Sequence, residues 1–315
     1  MTPKTVFYMT PSVRLLGARQ SLLALVRNLD RERYRPVVCC QSRGQLTDEL
    51  EKDGIGVRLL ETGWWRKARY WPRLPLTLFR LRNLLKQENA ALINCNEIYP
   101  NPYAVLVGRY VKIPVITHMR LSVTPEMTRK YYLDRADRIV VVSDAAGRDF
   151  NHWPNKAAKV VTIHNGVSPE QYATAQTRDE IRQDLGVAPD DFLIGLVATW
   201  AHRKRQHVAI EAMGIIARHE PKARLILVGG AAKSQADYEK ELVARIEALG
   251  LQNRVIMLPF QEDIARIYHA LDLNILISGD EGFGRTIIET GTIELPTIGA
   301  IAGGIPEVIR DGETG

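Results

Sequence analysis

Three cysteines in 315 residues, Cys39, Cys40 and Cys95, are too few and too poorly spaced for a disulfide framework, a zinc site or a thioredoxin-like pair. They lie in apolar strand-like runs and are expected to be buried, reduced thiols. The N-terminus, MTPKTVFYMTPSV, lacks the charged start, apolar stretch and cleavage site of a secretory signal, so a cytoplasmic protein is expected. No run of about 18 apolar residues is present. That predicts no spanning helix and leaves a soluble protein or one lying peripherally on the inner face of a membrane. Neither G-x-G-x-x-G after a first strand nor G-x-x-x-x-G-K-[ST] occurs, so the dinucleotide and P-loop readings lose their main signal. No segment looks disordered, and no nucleic-acid partner is expected.

What is present is an ordinary globular composition, 45% hydrophobic and 25% charged, in a chain long enough for two domains with a core each. The net charge of +6 hides a polarity. Residues 1–170 hold 27 Lys and Arg against 15 Asp and Glu, net +12, whereas the remainder holds 15 against 21, net −6. A basic first half seeks an anionic surface or substrate.

Short β-branched runs alternate with segments of helical period, as in a parallel sheet with crossover helices, so the fold class is α/β. Seven strands are expected in the first half, at 5–9, 36–40, 57–60, 92–95, 115–118, 139–142 and 160–163. Five follow, at 193–198, 225–228, 255–258, 273–277 and 297–298. The clearest helix is 18–29, with Leu22, Leu25, Val26 and Leu29 on one face. Turn-forming residues at 164–169 place the domain join close to Ser168. The chain stops at Gly315 just after a turn signal, which predicts a C-terminal domain lacking its last residues.

The most specific segment is Ser278-Gly279-Asp280-Glu281-Gly282-Phe283-Gly284-Arg285, running to Glu289 and following the apolar strand at 273–277. A strand ends, a Gly-rich turn admits a ligand, and a helix opens with free N–H groups toward the crevice at the sheet's carboxyl end, which suits an anion. Glu281 and Glu289 lie eight positions apart. A fully helical spacing would separate them by roughly 12 Å, too far for a glycosidase acid and base. Two carboxylates flanking a phosphate cradle suit hydroxyl groups at the two ends of a sugar nucleotide.

At these residues the sequence resembles the family 4 glycosyltransferases of the GT-B fold, whose signature is E-x7-E in the setting EGFG…E, followed by Gly-Gly-x-Pro-Glu. Here those are Glu281 to Glu289 and Gly303-Gly304-Ile305-Pro306-Glu307. The likeness extends to Val142-Ser143-Asp144, Asn165-Gly166-Val167, Ile194-Gly195-Leu196-Val197 and Ile226-Leu227-Val228-Gly229. It implies two Rossmann-like parallel-sheet domains facing across a cleft, 1–168 on the acceptor side and 169–315 holding a nucleotide-sugar donor. It also implies that Glu281 contacts the donor sugar, Glu289 the ribose, and the backbone of Phe283, Gly284 and Arg285 the phosphate or sugar.

The loop after the first strand of the second half carries Thr199, Arg203 and Lys204. An ammonium there can meet a diphosphate as charge departs. The family pattern has an Arg after the strand and a Lys five residues on; Lys204 matches, and Thr199 stands where the Arg would be. Arg203 and Arg285 are the candidates to replace it. Alone, Arg203-Lys204-Arg205 reads as a solvated charge run. His118, ending the strand at 115–118, reads alone as a structural histidine; the resemblance places it near the donor's reacting carbon, with Arg120 toward acceptor or phosphate. Family members carry a Gly pair before the first helix, where this chain has Leu16-Gly17, and Gly17 is the expected point of close approach.

The resemblance implies retention of anomeric configuration without an obligatory metal or other cofactor, and no D-x-D cluster is present. The partners expected are a nucleotide sugar and a sugar or lipid-linked acceptor, in surface-polysaccharide, lipopolysaccharide or glycolipid assembly. A nucleotide-sugar 2-epimerase of related architecture and a non-catalytic sugar-nucleotide-binding subunit are the competing readings. The segment Trp64-Trp65-Arg66-Lys67-Ala68-Arg69-Tyr70-Trp71-Pro72-Arg73 packs four cations and four aromatics into ten residues. It either docks on an anionic membrane or packs its aromatics on its own domain.

Overall fold

The structure is a computed structural model describing residues 2–63, 65, 67–231 and 235–315, the side chain of Arg69 excepted. Two compact units divide the described chain between Gly166 and Val167.

The N-terminal unit is built on seven parallel strands: β1 (Lys4–Thr10), β2 (Tyr34–Cys40), β3 (Gly56–Leu59), β4 (Ala90–Cys95), β5 (Val115–Met119), β6 (Arg138–Val141) and β7 (Val160–Thr162). Their order is β3-β2-β1-β4-β5-β6-β7. The C-terminal unit has five parallel strands, β8 (Phe192–Val197), β9 (Ala223–Val228), β10 (Val255–Leu258), β11 (Leu273–Leu276) and β12 (Thr297–Gly299), in the order β10-β9-β8-β11-β12.

Both central sheets are covered on two faces, and the period-2 alternation of side chains shows it. Val6 and Tyr8 join Leu22, Val26, Val38 and Leu46 in one cluster, while Phe7 and Met9 join Val37, Ile93 and Ile139 in another. In the second unit Ile194 and Leu196 pack with Leu225 and Leu227, and Leu193 packs with Ile226 and Val228 on the opposite side. Near-continuous apolar runs are the sequence trace of that double burial. Cys39, Cys40 and Cys95 are buried free thiols, and burial pushes Cys39 and Cys40 up to about 12, which leaves them unreactive.

The first helix, Gly17–Arg27, turns a different face inward from the one expected. Ser21, Leu22, Leu23 and Val26 are buried, and Leu25 is 36% exposed. Leu22, Leu23 and Val26 form the stripe that reaches Val6, Tyr8 and Val38, so Leu23 takes the place assigned to Leu25.

One buried charge organises the start of the second unit. Arg182, on the helix Arg178–Asp184, is 1% exposed. Its guanidinium donates to the carbonyls of Ala270, Pro189 and Asp191 at 3.0, 2.9 and 2.9 Å and to Asp272 at 2.5 Å. Asp272 also accepts from the Leu193 N–H at 2.7 Å and from Arg178. Burial raises this carboxyl, but those donors outweigh burial and hold it below the usual carboxylate range. Its folded-state value is thus depressed, and its contribution is complete above an unfolded value of about 4 and is lost as pH falls below it. Arg182→Met should destabilise the C-terminal unit by about 3–5 kcal/mol, because it takes the buried guanidinium from Asp272 and from three carbonyls at once. Urea unfolding at neutral pH measures this, and an unchanged midpoint would show that water replaces the guanidinium at no cost.

Candidate functional site

In a doubly wound sheet the strand order reverses at one point, and loops leaving the carboxyl ends of the strands there part to opposite faces. In the C-terminal unit that point lies between β8 and β11. The loop after β8 carries Thr199 to Arg205, and the loop after β11 carries Ile277 to Gly284. Two contacts join them. The Gly279 N–H donates to the Arg203 carbonyl at 2.9 Å, and the Lys204 ammonium pairs with the Glu281 carboxylate. Both side chains of that pair are mostly buried, at 11% and 15% exposure. Burial lowers the Lys204 value and Glu281 opposes the fall, so the proton affinity ends below that of an ordinary lysine.

The β8 loop closes by a 3₁₀ turn at His202–Lys204 and a left-handed residue, Arg205 at φ 58°, that begins the helix Gln206–Ile216. Fully buried Gln206 ties the loop down by donating to the Thr199 carbonyl at 3.1 Å. Thr199 and Arg203 are exposed. The Arg205 guanidinium lies over Gly279, 2.9 Å from where a Cβ would stand, so it covers the start of the loop that leaves β11.

Glu281 is fixed from beneath. Its carbonyl accepts from the Gly304 N–H at 2.8 Å, and Gly303, at φ 54°, comes so close that a Cβ would fall 2.0 Å from the same oxygen. Only glycine fits there, which explains the Gly-Gly pair in physical terms. Phe283 is buried, Gly284 turns at φ 93°, and the helix Arg285–Gly291 follows. Glu289, 8% exposed, has both carboxylate oxygens engaged: Tyr268 donates from its hydroxyl at 2.8 Å and Arg285 from two nitrogens at 3.0 and 2.9 Å. Burial first, and then Glu289, raise the Tyr268 hydroxyl well above its ordinary value, so it stays a donor. Arg285 is thus spent on Glu289 rather than standing in for the residue missing at 199.

The N-terminal unit has its own reversal between β1 and β4. Buried Asn96, just past β4, donates to the Ala18 carbonyl at 3.1 Å. Glu97 pairs with Arg19, one turn inside the helix that Gly17 begins. Gly17 is exposed at this helix start. After β5, Arg120 donates to Asn165 at 2.7 Å and to Asn96 at 3.0 Å, with His118 Nδ1 at 3.3 Å. Burial and then the Arg120 charge push His118 down to about 3, so the imidazole is neutral at neutral pH. The same burial raises Glu97, against the opposing charges of Arg19 and Arg120.

The structure therefore gathers Lys204, Glu281, Phe283, Gly284, Arg285 and Glu289 in one unit and Gly17, His118 and Arg120 in the other. Sequence reasoning missed Asn96, Glu97, Arg19 and Tyr268, and it named Asn165 for the resemblance without its contact to Arg120. The signal available for Asn96 and Glu97 was their place directly after a buried strand. Of the 64–73 segment, Trp64, Arg66 and the Arg69 side chain lie outside the described residues. Trp65 packs on the core against Tyr103 and Tyr132, Lys67 is exposed, and Trp71 is 60% exposed.

The family profile described as Glycosyl transferases group 1 matches residues 177–315, and that described as Glycosyltransferase Family 4 matches residues 16–171. The chain belongs to the family 4 glycosyltransferases. Its paired parallel α/β units are of the GT-B fold. HepE of Anabaena, solved in complex with UDP and glucose, superposes with a TM-score of 0.84 over 98% of this chain and 83% of its own, at 25% identity. A glycosyltransferase from Rickettsia africae shares the fold, with a TM-score of 0.84 over 99% of this chain and 83% of its own, at 20% identity. A D-inositol 3-phosphate glycosyltransferase of Mycobacterium marinum is 30% identical over 186 residues, 58% of this chain and 39% of that protein. The match thus spans well under half the length of this curated relative.

Because Glu289 is buried with both oxygens engaged, Tyr268→Phe should lower the stability of this family 4 chain by about 1.5–3 kcal/mol, the scale of a hydrogen bond to a charged group. Urea unfolding gives the number. No loss would mean that the Tyr268 contact contributes nothing net.

Proposed function

We propose that the chain transfers a sugar from a nucleoside diphosphate to an acceptor hydroxyl with retention of configuration. The observation that carries this is the ion pair between Lys204 and Glu281, which joins the two loops at the β8/β11 reversal. A diphosphate entering there offers Lys204 an anion with more charge than a carboxylate. As the ammonium turns to it, Glu281 is released to accept hydrogen bonds from sugar hydroxyls. Glu289, held by Tyr268 and Arg285, receives the ribose, while the backbone of Phe283, Gly284 and Arg285 meets phosphate or sugar. Arg203 and Arg205 add positive charge on the loop. HepE, 25% identical, was solved with UDP and glucose, which supports a nucleotide-sugar donor.

In the reaction the bond from the anomeric carbon to the diphosphate oxygen breaks, and its electron pair stays on the diphosphate. The acceptor oxygen attacks that carbon from the same face, and its proton passes to the departing phosphate oxygen. Lys204 stabilises the charge that develops, and no metal takes part in this proposal. Neutral His118 orients the sugar rather than moving a proton, with Arg120 on the acceptor side. Surface-polysaccharide, lipopolysaccharide or glycolipid assembly is the proposed setting. Exposed Trp71 and Lys67 favour peripheral attachment to an anionic membrane, although inward-facing Trp65 is not free to insert.

Lys204→Ala should lower kcat by about 10²-fold or more, and EDTA should leave the wild-type rate unchanged. Near-normal turnover in the folded variant removes Lys204 from the chemistry, and loss of activity on chelation restores a metal to it. Calorimetry separates the carboxylates. Glu289→Ala should weaken binding of free UDP as well as UDP-glucose, whereas Glu281→Ala should spare UDP and impair the sugar nucleotide; the reverse pattern exchanges their roles. Donor consumption that needs no acceptor would instead favour a 2-epimerase, and donor binding without any turnover a non-catalytic subunit.

A further inference from the structure

We infer that an aromatic pocket in the N-terminal unit, outside the polar cluster at the strand ends, binds a sugar ring bearing an anionic group. This rests on the proposal that the chain glycosylates a hydroxyl acceptor, and it names the chemistry of a part of that acceptor remote from the reacting hydroxyl. The pocket has a volume of about 390 Å³ and is lined by Trp65, Tyr70, Trp71, Tyr103, Tyr132 and Lys130, with a single leucine. That size falls within the range of small-molecule sites. An alkyl chain would call for branched aliphatic walls. Five aromatic rings with polar edges instead suit a ligand with a flat C–H face and hydroxyls around its rim, which describes a pyranose.

The rings are held in place by structure that packing alone does not require. Tyr132 sits at φ 54° and ψ 36°, a left-handed conformation that a bulky side chain rarely adopts. Fully buried Asn101 clamps that turn, donating to the carbonyls of Tyr131 and Tyr132 at 2.7 and 3.0 Å. Asn101 in turn accepts from Thr117 on β5 at 2.5 Å. Strain maintained by a buried polar network is where functional constraints are sought. The clamp sets the Tyr132 ring edge-to-face with Trp65, centroids 5.6 Å apart, and Trp65 meets Tyr103 in the same way at 5.3 Å. Tyr70 closes against Gly63, where a Cβ would stand 2.6 Å from its ring. Trp71 lies at the rim, donating from Nε1 to the Trp65 carbonyl at 3.3 Å.

The charge follows from Lys130. Its pair with Glu126, 3.2 Å away and one helical turn back, is the kind of surface contact that contributes little, so an incoming anion can replace it. The unit around the pocket is strongly basic, which favours an anionic ligand in the same way.

The test uses the full chain, with tryptophan fluorescence and calorimetry against methyl α-glucoside, glucose 6-phosphate and inorganic phosphate, and with UDP titrated in parallel. Glucose 6-phosphate should bind several-fold more tightly than the neutral glucoside, and phosphate alone should bind far more weakly. Trp71→Ala should weaken sugar phosphate binding about tenfold or more. Tyr132→Gly, which suits the left-handed backbone, should do the same, with circular dichroism to establish that the variant is folded. Lys130→Gln should abolish the preference for the phosphorylated sugar, and all three variants should bind UDP normally. UDP binding with no response to either sugar overturns the inference and leaves the proposed transfer intact; failure to bind UDP strikes the transfer itself. Sugar binding that survives Trp71→Ala and Tyr132→Gly, or phosphate binding as tightly as the sugar phosphate, also overturns it. So does salt-sensitive attachment to anionic vesicles without sugar binding, which would assign Trp71 to a membrane surface.

Discussion

The pairing of Lys204 with Glu281 is the constraint from which the C-terminal site follows. Two oppositely charged groups, both largely out of water, are worth holding together only if each has no better partner nearby. They meet because β8 and β11, far apart in sequence, are neighbours in the sheet. Burial lowers the proton affinity of the ammonium, while the carboxylate keeps it from falling further. In the proposed transfer such a cation is poised for exchange, since most of its desolvation is already incurred and a diphosphate in place of Glu281 adds charge. The glycines around Glu281 serve the same pair. By bringing backbone rather than side chain against its carbonyl, Gly303 and Gly304 fix where that carboxylate stands.

Glu289 is a carboxylate of another kind. Tyr268 and Arg285 hold its oxygens from inside the fold, so its position is set before any ligand arrives, whereas that of Glu281 is set by the cation it would release. One motif thus contains a rigid acceptor and an exchangeable one. The N-terminal unit uses related means at its own reversal point, where Arg120 bridges Asn96 and Asn165 beside a neutral His118 and Glu97 answers Arg19. In both units polar groups gather at the carboxyl ends of the sheet, around the reversal and in the N-terminal unit also beyond β5 and β7, because diverging loops there leave backbone and side chains that helices do not cover.

The architecture was legible in the sequence because double burial leaves apolar runs that stand out from helical periods; all twelve strands fall where such runs occur. The helix face was less so. Leu25 and Leu23 are equally apolar, and only the angle at which the helix Gly17–Arg27 crosses the sheet chooses between them. The E-x7-E motif and the resemblance it carries pointed to Glu281, Glu289 and Lys204, although the pairing of Lys204 with Glu281 spans 77 residues and shows only in the fold. Asn96, Glu97 and Tyr268 were not legible, because no motif marks them and each acquires meaning only from the partner that the fold brings to it. The aromatic segment at 64–73 shows the same limit: its composition fits a membrane interface and a domain core equally well, and only the fold shows Trp65 packed inward against Tyr103 and Tyr132.

Position in space also bears on the missing arginine. Thr199 is exposed and contributes its carbonyl to Gln206, so that part of the loop is used as backbone. Of the two guanidiniums proposed to replace it, Arg285 is committed to Glu289, and Arg203 extends into solvent while its carbonyl receives Gly279. Arg205 fits the requirement better. Its left-handed backbone turns the chain sharply as the helix begins, and its side chain lies across Gly279, at the strand end that leads to Glu281. A side chain at Gly279 would displace it, so the glycine and the arginine form a matched pair. A positive charge six residues further along the chain than Thr199 thus stands over the loop that leaves β11.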